Sequence, residues 1–164
     1  PVAAQAAIWT GKALSAGNTN YLKDLKLSFA LDDLLFVHSS PSNPELWHYI
    51  LSLNDAKHEF SLFGERICFL GHTHHPVTFT ERAGRYGIIE DPSFRIQEDY
   101  RYIVNVGSVG QPRDLDPRAS YAIYDHDRRL VEIKRLPYEI EVTQDRIRKA
   151  GLPEFLAQRL ELGR

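Results

Sequence analysis

Two short apolar segments, each followed by histidine, constrain the fold of this chain more than any other feature. Residues 34–37 are Leu-Leu-Phe-Val and precede His38, while residues 67–70 are Ile-Cys-Phe-Leu and precede Gly-His-Thr-His, which ends at His74. Apolar runs of this length are typical of buried strands. In open α/β sheets, ligand-binding groups collect where strands end. The sequence therefore predicts a buried sheet with imidazoles along one edge.

The remaining pattern predicts one α/β domain over residues 1–164, largely antiparallel in its second half. Apolar residues at helical spacing between Ala3 and Leu25 predict two helices, divided at Gly17 and Asn18. Asn54 is a candidate helix cap. Further helices are expected at residues 45–53, 55–63, 143–150 and 155–162. Further strands are expected at residues 77–82, 86–89, 94–96, 102–106, 120–125 and 130–136.

Composition excludes several classes of function. With 43% hydrophobic and 26% charged residues, the 164-residue chain resembles an ordinary globular domain. A formal net charge of −2 gives no basic surface for duplex nucleic acid, and no apolar run approaches the roughly 20 residues of a membrane span. Cys68, the single cysteine, is expected to be a small buried hydrophobe. These properties are consistent with a cytoplasmic protein.

The histidines at the two strand ends have the spacing of metal ligands. If residues 72–74 are extended, the His72 and His74 imidazoles point to one side and Thr73 to the other. Gly71 would permit a sharp exit from the strand. His38 has a matching position after the other apolar run, so pairing of the two strands would bring it close. Because neutral imidazole is a common metal ligand, His38, His72 and His74 are predicted to bind metal.

The other histidines have simpler interpretations. His48 and His58 fall in polar helical patterns and are expected at the surface, and His126 falls in a predicted hairpin turn. His75 adjoins the predicted ligands, and we expect it at the rim of the site or supporting a ligand.

Several residues outside the histidine segments are also candidates for the site. Arg113 follows a glycine-rich loop, where its guanidinium could bind phosphate or pair with a neighbouring aspartate; Arg118 is a weaker candidate. Asn105 and Ser108 are expected to satisfy backbone groups in their turn. Three aromatic residues, Trp9, Trp47 and Tyr49, are expected in the core or on helix faces. The alternative for Trp47 is a position beside a pocket, because it follows the His38 loop.

Three segments resemble motifs of the calcineurin-like metallophosphoesterase superfamily, and of its small bacterial and archaeal predicted phosphodiesterases in particular. Residues 37–41 resemble its V-H-G-x-P element, with Ser39 in place of glycine, and residues 71–76 resemble its G-H-T-H element. Residues 105–121 resemble the stretch that follows. The resemblance implies the C-terminal portion of a four-layer α/β/β/α sandwich.

The resemblance also implies a two-metal site that hydrolyses phosphodiesters or phosphomonoesters through a hydroxide held between the ions. His38 and His72 would bind one ion and His74 the other. Manganese is the expected metal, with iron, zinc, nickel and cobalt as alternatives. The expected partner is a phosphate-ester substrate whose identity the sequence leaves open, and an oligomer is compatible with the sequence.

The chain departs from the superfamily pattern in lacking three motifs. Asp-X-His, Gly-Asp and Gly-Asn-His, which supply carboxylate, amide and imidazole groups in relatives, do not occur. In relatives they precede the helix that residues 1–14 resemble, and this chain begins with Pro1 and contains no methionine. We therefore expect a missing N-terminal segment or a second chain to complete the site, and negligible activity from this chain alone. The alternative is a non-catalytic module that binds one metal ion or a partner.

Overall fold

A computed structural model describes residues 2–164, which form two compact units. The smaller unit contains residues 2–26 and Glu139–Leu162, and the larger contains Leu27–Tyr138 with Gly163–Arg164. The helices are α1 (Val2–Ala13), α2 (Ala16–Asp24), α3 (Leu53–Glu59), α4 (Ile140–Lys149) and α5 (Glu154–Leu162). The strands are β1 (Ser28–Leu31), β2 (Leu34–Val37), β3 (Ile67–Leu70), β4 (Val77–Arg82), β5 (Arg85–Ile89), β6 (Ser93–Arg95), β7 (Arg101–Asn105), β8 (Ala119–Asp125) and β9 (Leu130–Leu136).

A six-stranded mixed sheet in the larger unit determines where the strand ends lie. Its order is β1-β2-β3-β7-β4-β5, and β2, β3 and β7 are parallel neighbours. Phe36 pairs with Phe69 and Leu70 pairs with Asn105, so the carboxyl ends of all three strands meet at one edge. The other pairings in this sheet, and those of the three-stranded sheet β6-β9-β8, are antiparallel. The predicted mixed α/β fold with a largely antiparallel second half is confirmed.

The core of the larger unit lies on both faces of the six-stranded sheet. Cys68 and Leu70 of β3 belong to a buried cluster that includes Phe60, next to α3. The alternate residues, Ile67 and Phe69, face a second cluster that includes side chains of the three-stranded sheet. This two-residue period follows from strand geometry, and each fully buried aliphatic side chain contributes about 1.5–3 kcal/mol relative to exposure. Two faces packed against different layers explain why β3 is apolar throughout.

Cys68 is fully buried in β3, as predicted. Burial among apolar groups raises the pKa of its thiol, because the thiolate would lose its hydration. The side chain is therefore a small core hydrophobe.

The predicted break between the first two helices was misplaced. Gly17 and Asn18 lie inside α2, and the chain instead leaves the helical conformation at Ser15. The Ser15 hydroxyl accepts a hydrogen bond from the Asn18 backbone N–H at 3.2 Å, satisfying one of the unpaired donors at the start of a helix. Serine capping therefore determined the boundary here. Among the described residues of α1 and α2, none is buried. Trp9 is 42% exposed on α1, so it lies on a helix, one of the two positions expected for it, and not in a core.

The prediction of a helix over residues 45–53 was wrong. Only one 3₁₀ turn forms, at Pro44–Leu46, and it ends where Trp47 adopts a left-handed backbone. The next helix, α3, starts at Leu53 because Ser52 caps it and forms a reciprocal capping box with Asp55. Asn54 therefore lies inside the helix and is not its cap.

Strand β1 was missed in the sequence. Its four residues, Ser28–Leu31, are all exposed at the edge of the sheet, so they lack the alternation that marks a half-buried strand. A turn at Asp32 and Asp33 connects β1 to β2. By contrast, β4 and β9 have the predicted bounds.

Candidate functional site

His38 and His72 lie together at the carboxyl edge of the parallel strands. His38 follows β2 and His72 follows β3, and the register of these neighbouring strands brings their ring centroids to 5.2 Å. The Gly71 backbone N–H donates to the His38 carbonyl at 3.1 Å, which joins the two strand exits directly. The predicted meeting of the two histidine segments is therefore confirmed.

The loop after β3 is not extended, contrary to expectation. His72 has φ of 65° and His74 has φ of 62°, both in the left-handed region. This conformation is uncommon for residues other than glycine and costs of order 1–3 kcal/mol. Gly71 is not in this region, and a Cβ there would come no closer than 3.8 Å to the Gly107 carbonyl oxygen. The sharp exit from the strand therefore depends on the histidines themselves.

Asn105, at the end of β7, holds this loop in place. Its side chain is fully buried, and its Nδ2 donates to the Gly71 carbonyl at 2.7 Å and to Thr73 Oγ1 at 2.8 Å. Its Oδ1 accepts from the Gly107 backbone N–H at 3.0 Å. Thr73 Oγ1 in turn accepts from the His75 N–H at 3.2 Å. The expectation that Asn105 satisfies backbone groups is confirmed, and its bonds link two strand ends.

Ser108 has the backbone role predicted for it. Its hydroxyl accepts a hydrogen bond from the Gln111 backbone N–H at 3.0 Å. This bond closes the glycine-containing loop that follows β7, next to the histidine edge.

Two imidazoles are oriented by backbone carbonyl groups. His74 Nδ1 lies 2.6 Å from the Gln111 carbonyl oxygen, and His72 Nε2 lies 3.0 Å from that of Trp47. Since a carbonyl oxygen only accepts, each of these ring nitrogens carries the proton. In the neutral rings, His74 Nε2 and His72 Nδ1 therefore keep a free lone pair. Such carbonyl partners commonly orient histidines that bind metals.

The electrostatic surroundings favour neutral rings at two of the positions. Partial burial lowers the pKa of His74, and the charge of Arg113 lowers it further. The hydrogen bond to the Gln111 carbonyl has the opposite effect but is outweighed. Partial burial, followed by repulsion from His72, lowers the pKa of His38. Neutral imidazole is the form that binds a metal or accepts a proton.

Two aromatic side chains lie next to the histidines, a position that the sequence indicated only for Trp47 and only as an alternative. The Tyr49 ring stacks on His72, with centroids 4.2 Å apart and planes 11° apart. The Trp47 ring centroid lies 5.7 Å from those of both His38 and His72. Both side chains are about half exposed, so the expectation of core or helix-face positions was wrong, while Trp47 does border the site. The mistaken helix over residues 45–53 concealed this arrangement.

Arg113 lies beside His74 without an acidic partner. Its backbone N–H donates to the His74 carbonyl at 3.2 Å, and its guanidinium donates to Gln111 Oε1 at 2.7 and 3.1 Å. Across residues 2–164, Arg113 takes part in none of the ion pairs. The neighbouring aspartates instead pair with other arginines: Asp114 with Arg135, and Asp116 with Arg118 and Arg135.

Carboxylates do not accompany the imidazoles in this part of the fold. Asp33 lies at the opposite end of β2 from His38 and pairs with Arg66 at 3.0 Å. Within residues 2–164, no group of three or more His, Cys, Asp or Glu side chains is arranged to hold a metal ion. The metal-binding roles of His38, His72 and His74 stay predictions. The other histidines are exposed: His48, His58, His75 and His126.

Comparison with known proteins identifies the family. Residues 10–129 match the calcineurin-like phosphoesterase superfamily domain, which is more than half of the chain. The chain belongs to this superfamily. A solved metallophosphoesterase from Sphaerobacter thermophilus is 40% identical to this superfamily member and superposes with a TM-score of 0.89. That match covers all of this chain and 68% of the other.

Two further matches to this calcineurin-like chain are archaeal proteins, one in sequence and one in fold. An uncharacterized protein of Methanocaldococcus jannaschii is 35% identical over 163 residues, which are 97% of this chain and 65% of that protein. The chain thus spans about two thirds of that relative's length. A hypothetical Pyrococcus horikoshii protein shares the fold at 18% identity, with a TM-score of 0.70, over 93% of this chain and 57% of its own. None of the helices in residues 2–164 is long and apolar enough to span a membrane.

Proposed function

We propose that this chain is part of a cytoplasmic, metal-dependent phosphoesterase that hydrolyses phosphodiesters or phosphomonoesters. Membership of the calcineurin-like phosphoesterase superfamily supports the reaction class. The observation that carries the proposal for this chain is the meeting of His38 and His72 at one edge, with His74 and Arg113 on adjoining loops. The Arg113 guanidinium is suited to the negative charge of a phosphate, and the imidazoles are donors for the metal ions that would bind the phosphate.

The imidazoles fit divalent metal ions as donors, though they form an incomplete set. Two rings with centroids 5.2 Å apart are close enough to share an ion, since each metal–nitrogen bond spans about 2.0–2.1 Å. His38 and His72 would hold one ion, and His74, oriented by the Gln111 carbonyl, would hold its neighbour. Bound ions, with manganese preferred over iron, zinc, nickel or cobalt, would stabilise negative charge on the phosphate oxygens.

Arg113 would bind the substrate phosphate. Gln111 Oε1 accepts two hydrogen bonds from its guanidinium and thereby holds it in one orientation without neutralising its charge. A planar guanidinium can donate two parallel hydrogen bonds to phosphate. Arg118 lacks this role because Asp116 already accepts hydrogen bonds from its guanidinium.

We propose that polypeptide outside these 164 residues supplies the carboxylates, as an N-terminal segment or a second chain. On this proposal the chain is one incomplete metallophosphoesterase domain. The absence of a carboxylate beside the imidazoles in the described residues supports it, because a ligand that bridges two ions is ordinarily an oxygen donor. The chain alone would then bind metal weakly and turn over slowly.

Titration of the chain with Mn²⁺, followed by calorimetry and by hydrolysis of bis(4-nitrophenyl) phosphate, tests the proposal. We expect measurable binding, a loss of at least tenfold in affinity for His72→Ala, and negligible hydrolysis. His58→Ala is the matched control, because His58 is an exposed histidine in α3, and should leave the affinity unchanged. Robust hydrolysis by this chain would contradict the incomplete site, and equal affinities of the two variants would contradict the ligand assignment.

A second candidate function is a non-catalytic module that binds one metal ion through the three histidines. Three histidines and a water form a common mononuclear zinc site, but within residues 2–164 the three imidazoles are not grouped to hold one ion, so this candidate requires the His74 loop to move. The same calorimetry separates the two. One tightly bound Zn²⁺ ion per chain, together with no hydrolytic activity from a longer form that includes the upstream sequence, would favour the module. Mass measurement in solution would reveal an oligomer or a second chain.

A further inference from the structure

Trp47 and Tyr49 present aromatic surface to solvent beside the histidine pair. Their exposed fractions are 50% and 48%, although large aromatic side chains are usually buried when the fold allows. Both rings lie within 6 Å of an imidazole of the site. The sequence around them forms neither a helix nor a strand over residues 47–52, so no regular element explains their placement.

The surrounding structure nevertheless fixes this segment. Trp47 adopts a left-handed backbone with φ of 57° and ψ of 36°, an outlier for a bulky residue, and its carbonyl accepts the hydrogen bond from His72. The neighbouring Ile50 is buried in the core cluster of the larger unit. Backbone strain of this kind persists only where the surroundings impose it, and such strain concentrates at ligand sites. The two rings are therefore held in place on the exposed side of the segment.

We infer that the Trp47 and Tyr49 side chains form a stacking platform for a planar aromatic group joined to the substrate phosphate, as in a nucleotide. This inference rests on the proposed phosphoesterase function, because it requires the phosphate to lie near His38, His72 and Arg113. Aromatic side chains stack on every nucleobase because each base has a π-face. Substrates with aliphatic groups only would lack this contact.

The Trp47 indole and the Tyr49 phenol ring contribute differently to the platform. One face of Tyr49 is occupied by His72 in a nearly parallel stack, and 48% of the side chain remains exposed. The Trp47 ring is inclined by 66° to His38 and by 50° to His72, so it stacks on neither imidazole. Its exposed half is thus available to a ligand, and we expect Trp47 to determine specificity more strongly than Tyr49.

Equilibrium binding of two phosphate esters that differ only in an aromatic group provides the test. Adenosine 5′-monophosphate and ribose 5-phosphate would be titrated by calorimetry, with Mn²⁺ present, into the chain and into Trp47→Leu. We expect the native chain to prefer adenosine 5′-monophosphate. Trp47→Leu should weaken its binding about tenfold, within the range of base stacking on one aromatic side chain, and leave ribose 5-phosphate unchanged.

A matched control is Tyr21→Leu, which removes an exposed aromatic ring from α2 and should change neither affinity. In a Trp9→Phe background, Trp47 is the only indole, so its fluorescence should be quenched by adenosine 5′-monophosphate and not by ribose 5-phosphate. Equal affinities of the native chain for both ligands, equal losses for both in Trp47→Leu, or no binding would overturn the platform. Because these readouts need no turnover, equal binding of the two phosphate esters with Mn²⁺ binding intact would refute the platform and retain the proposed phosphoesterase.

Discussion

The two ends of the parallel strands β2, β3 and β7 differ in how their polar groups are partnered. The amino ends border a cavity of about 600 Å³ that is lined with acidic and basic residues. Arg66 pairs there with Asp33 at 3.0 Å, and Arg129 pairs nearby with Glu98 at 2.7 Å. At the carboxyl ends, the imidazoles and Arg113 have carbonyl or amide partners and no acid.

If the histidine end is the site, as proposed, then cavity size and charge density do not by themselves locate it. The charged end pairs Arg66 with Asp33 and Arg129 with Glu98, while Arg101 donates to the Phe60 and Phe63 carbonyls. The histidine end keeps a cation and lone pairs free, and it contains backbone strain at Trp47, His72 and His74. Backbone strain beside polar groups that have no acidic partner is therefore a better indication of a candidate site than the size or charge of a cavity.

The largest expected effect is that of Asn105→Leu at the histidine end. The substitution would leave the Gly71 carbonyl and the Gly107 N–H without their partners inside the fold. Three lost hydrogen bonds, together with buried unsatisfied groups, should lower the free energy of unfolding by about 3 kcal/mol. Urea unfolding measures this loss, and far-UV circular dichroism checks that the variant folds. A loss below about 1 kcal/mol would show that the network is not needed to hold the loop.

Arg113→Gln should have the next largest effect. We expect the affinity for inorganic phosphate to fall about tenfold, because a hydrogen bond to a charged group contributes about 1.5–3 kcal/mol. Arg118→Gln is the matched control, because the guanidinium of Arg118 is already paired with Asp116, and its effect should stay below about twofold. Calorimetry with phosphate provides both values. Similar losses in the two variants would mean that general positive charge, and not Arg113, attracts the anion.

A smaller effect concerns acid stability in the loop that follows β7. Hydrogen bonding to the Arg118 side chain lowers the pKa of Asp116 from 3.8 to about 2. Because the folded pKa is below the unfolded one, the stabilisation is complete above the unfolded pKa and is lost as the pH falls towards 2. Asp116→Asn should therefore flatten the decline in unfolding free energy between about pH 4 and pH 2. An unchanged slope would assign the decline to other carboxylates.

The smallest effect is expected at the charged end. Glu98→Gln removes an exposed ion pair with Arg129, and exposed pairs of this kind contribute little because water and salt screen them. The hydrogen bond from Arg129 lowers the pKa of Glu98, so any contribution would disappear as the pH falls below the ordinary range of a glutamate. The urea midpoint and the phosphate affinity should both stay unchanged at neutral pH. A clear loss of phosphate affinity would make this end part of the site.

Local sequence pattern was sufficient to predict most strands of the sheet and the proximity of the two histidine segments. The apolar run of β3 reflects burial along the whole strand, and β4 and β9 have the bounds predicted for them. Since His38 and His72 follow neighbouring parallel strands, knowing the strands was enough to bring the rings together. In the same way, the loop after β7 was recognisable from its glycines.

The conformations that shape the site depend on distant partners and were not predictable from local pattern. The left-handed backbone at His72 occurs together with two long-range hydrogen bonds. One joins His72 to Trp47, 25 residues earlier, and the other joins Asn105 to Gly71, which are 34 residues apart. The stacking of Tyr49 on His72 likewise joins residues that no periodicity relates. Strand β1 went unrecognised for a different reason, because an exposed edge strand has no buried face to reveal it.

The sealed position of Cys68 also makes the chain convenient for spectroscopic labelling. A thiol that is fully enclosed and reluctant to ionise reacts slowly with maleimides or iodoacetamides. One cysteine introduced at Val109, which is exposed on the loop before Arg113, would consequently take up a fluorophore or nitroxide without interference from the native thiol. A single probe at that position would report the response of the loop to phosphate in solution.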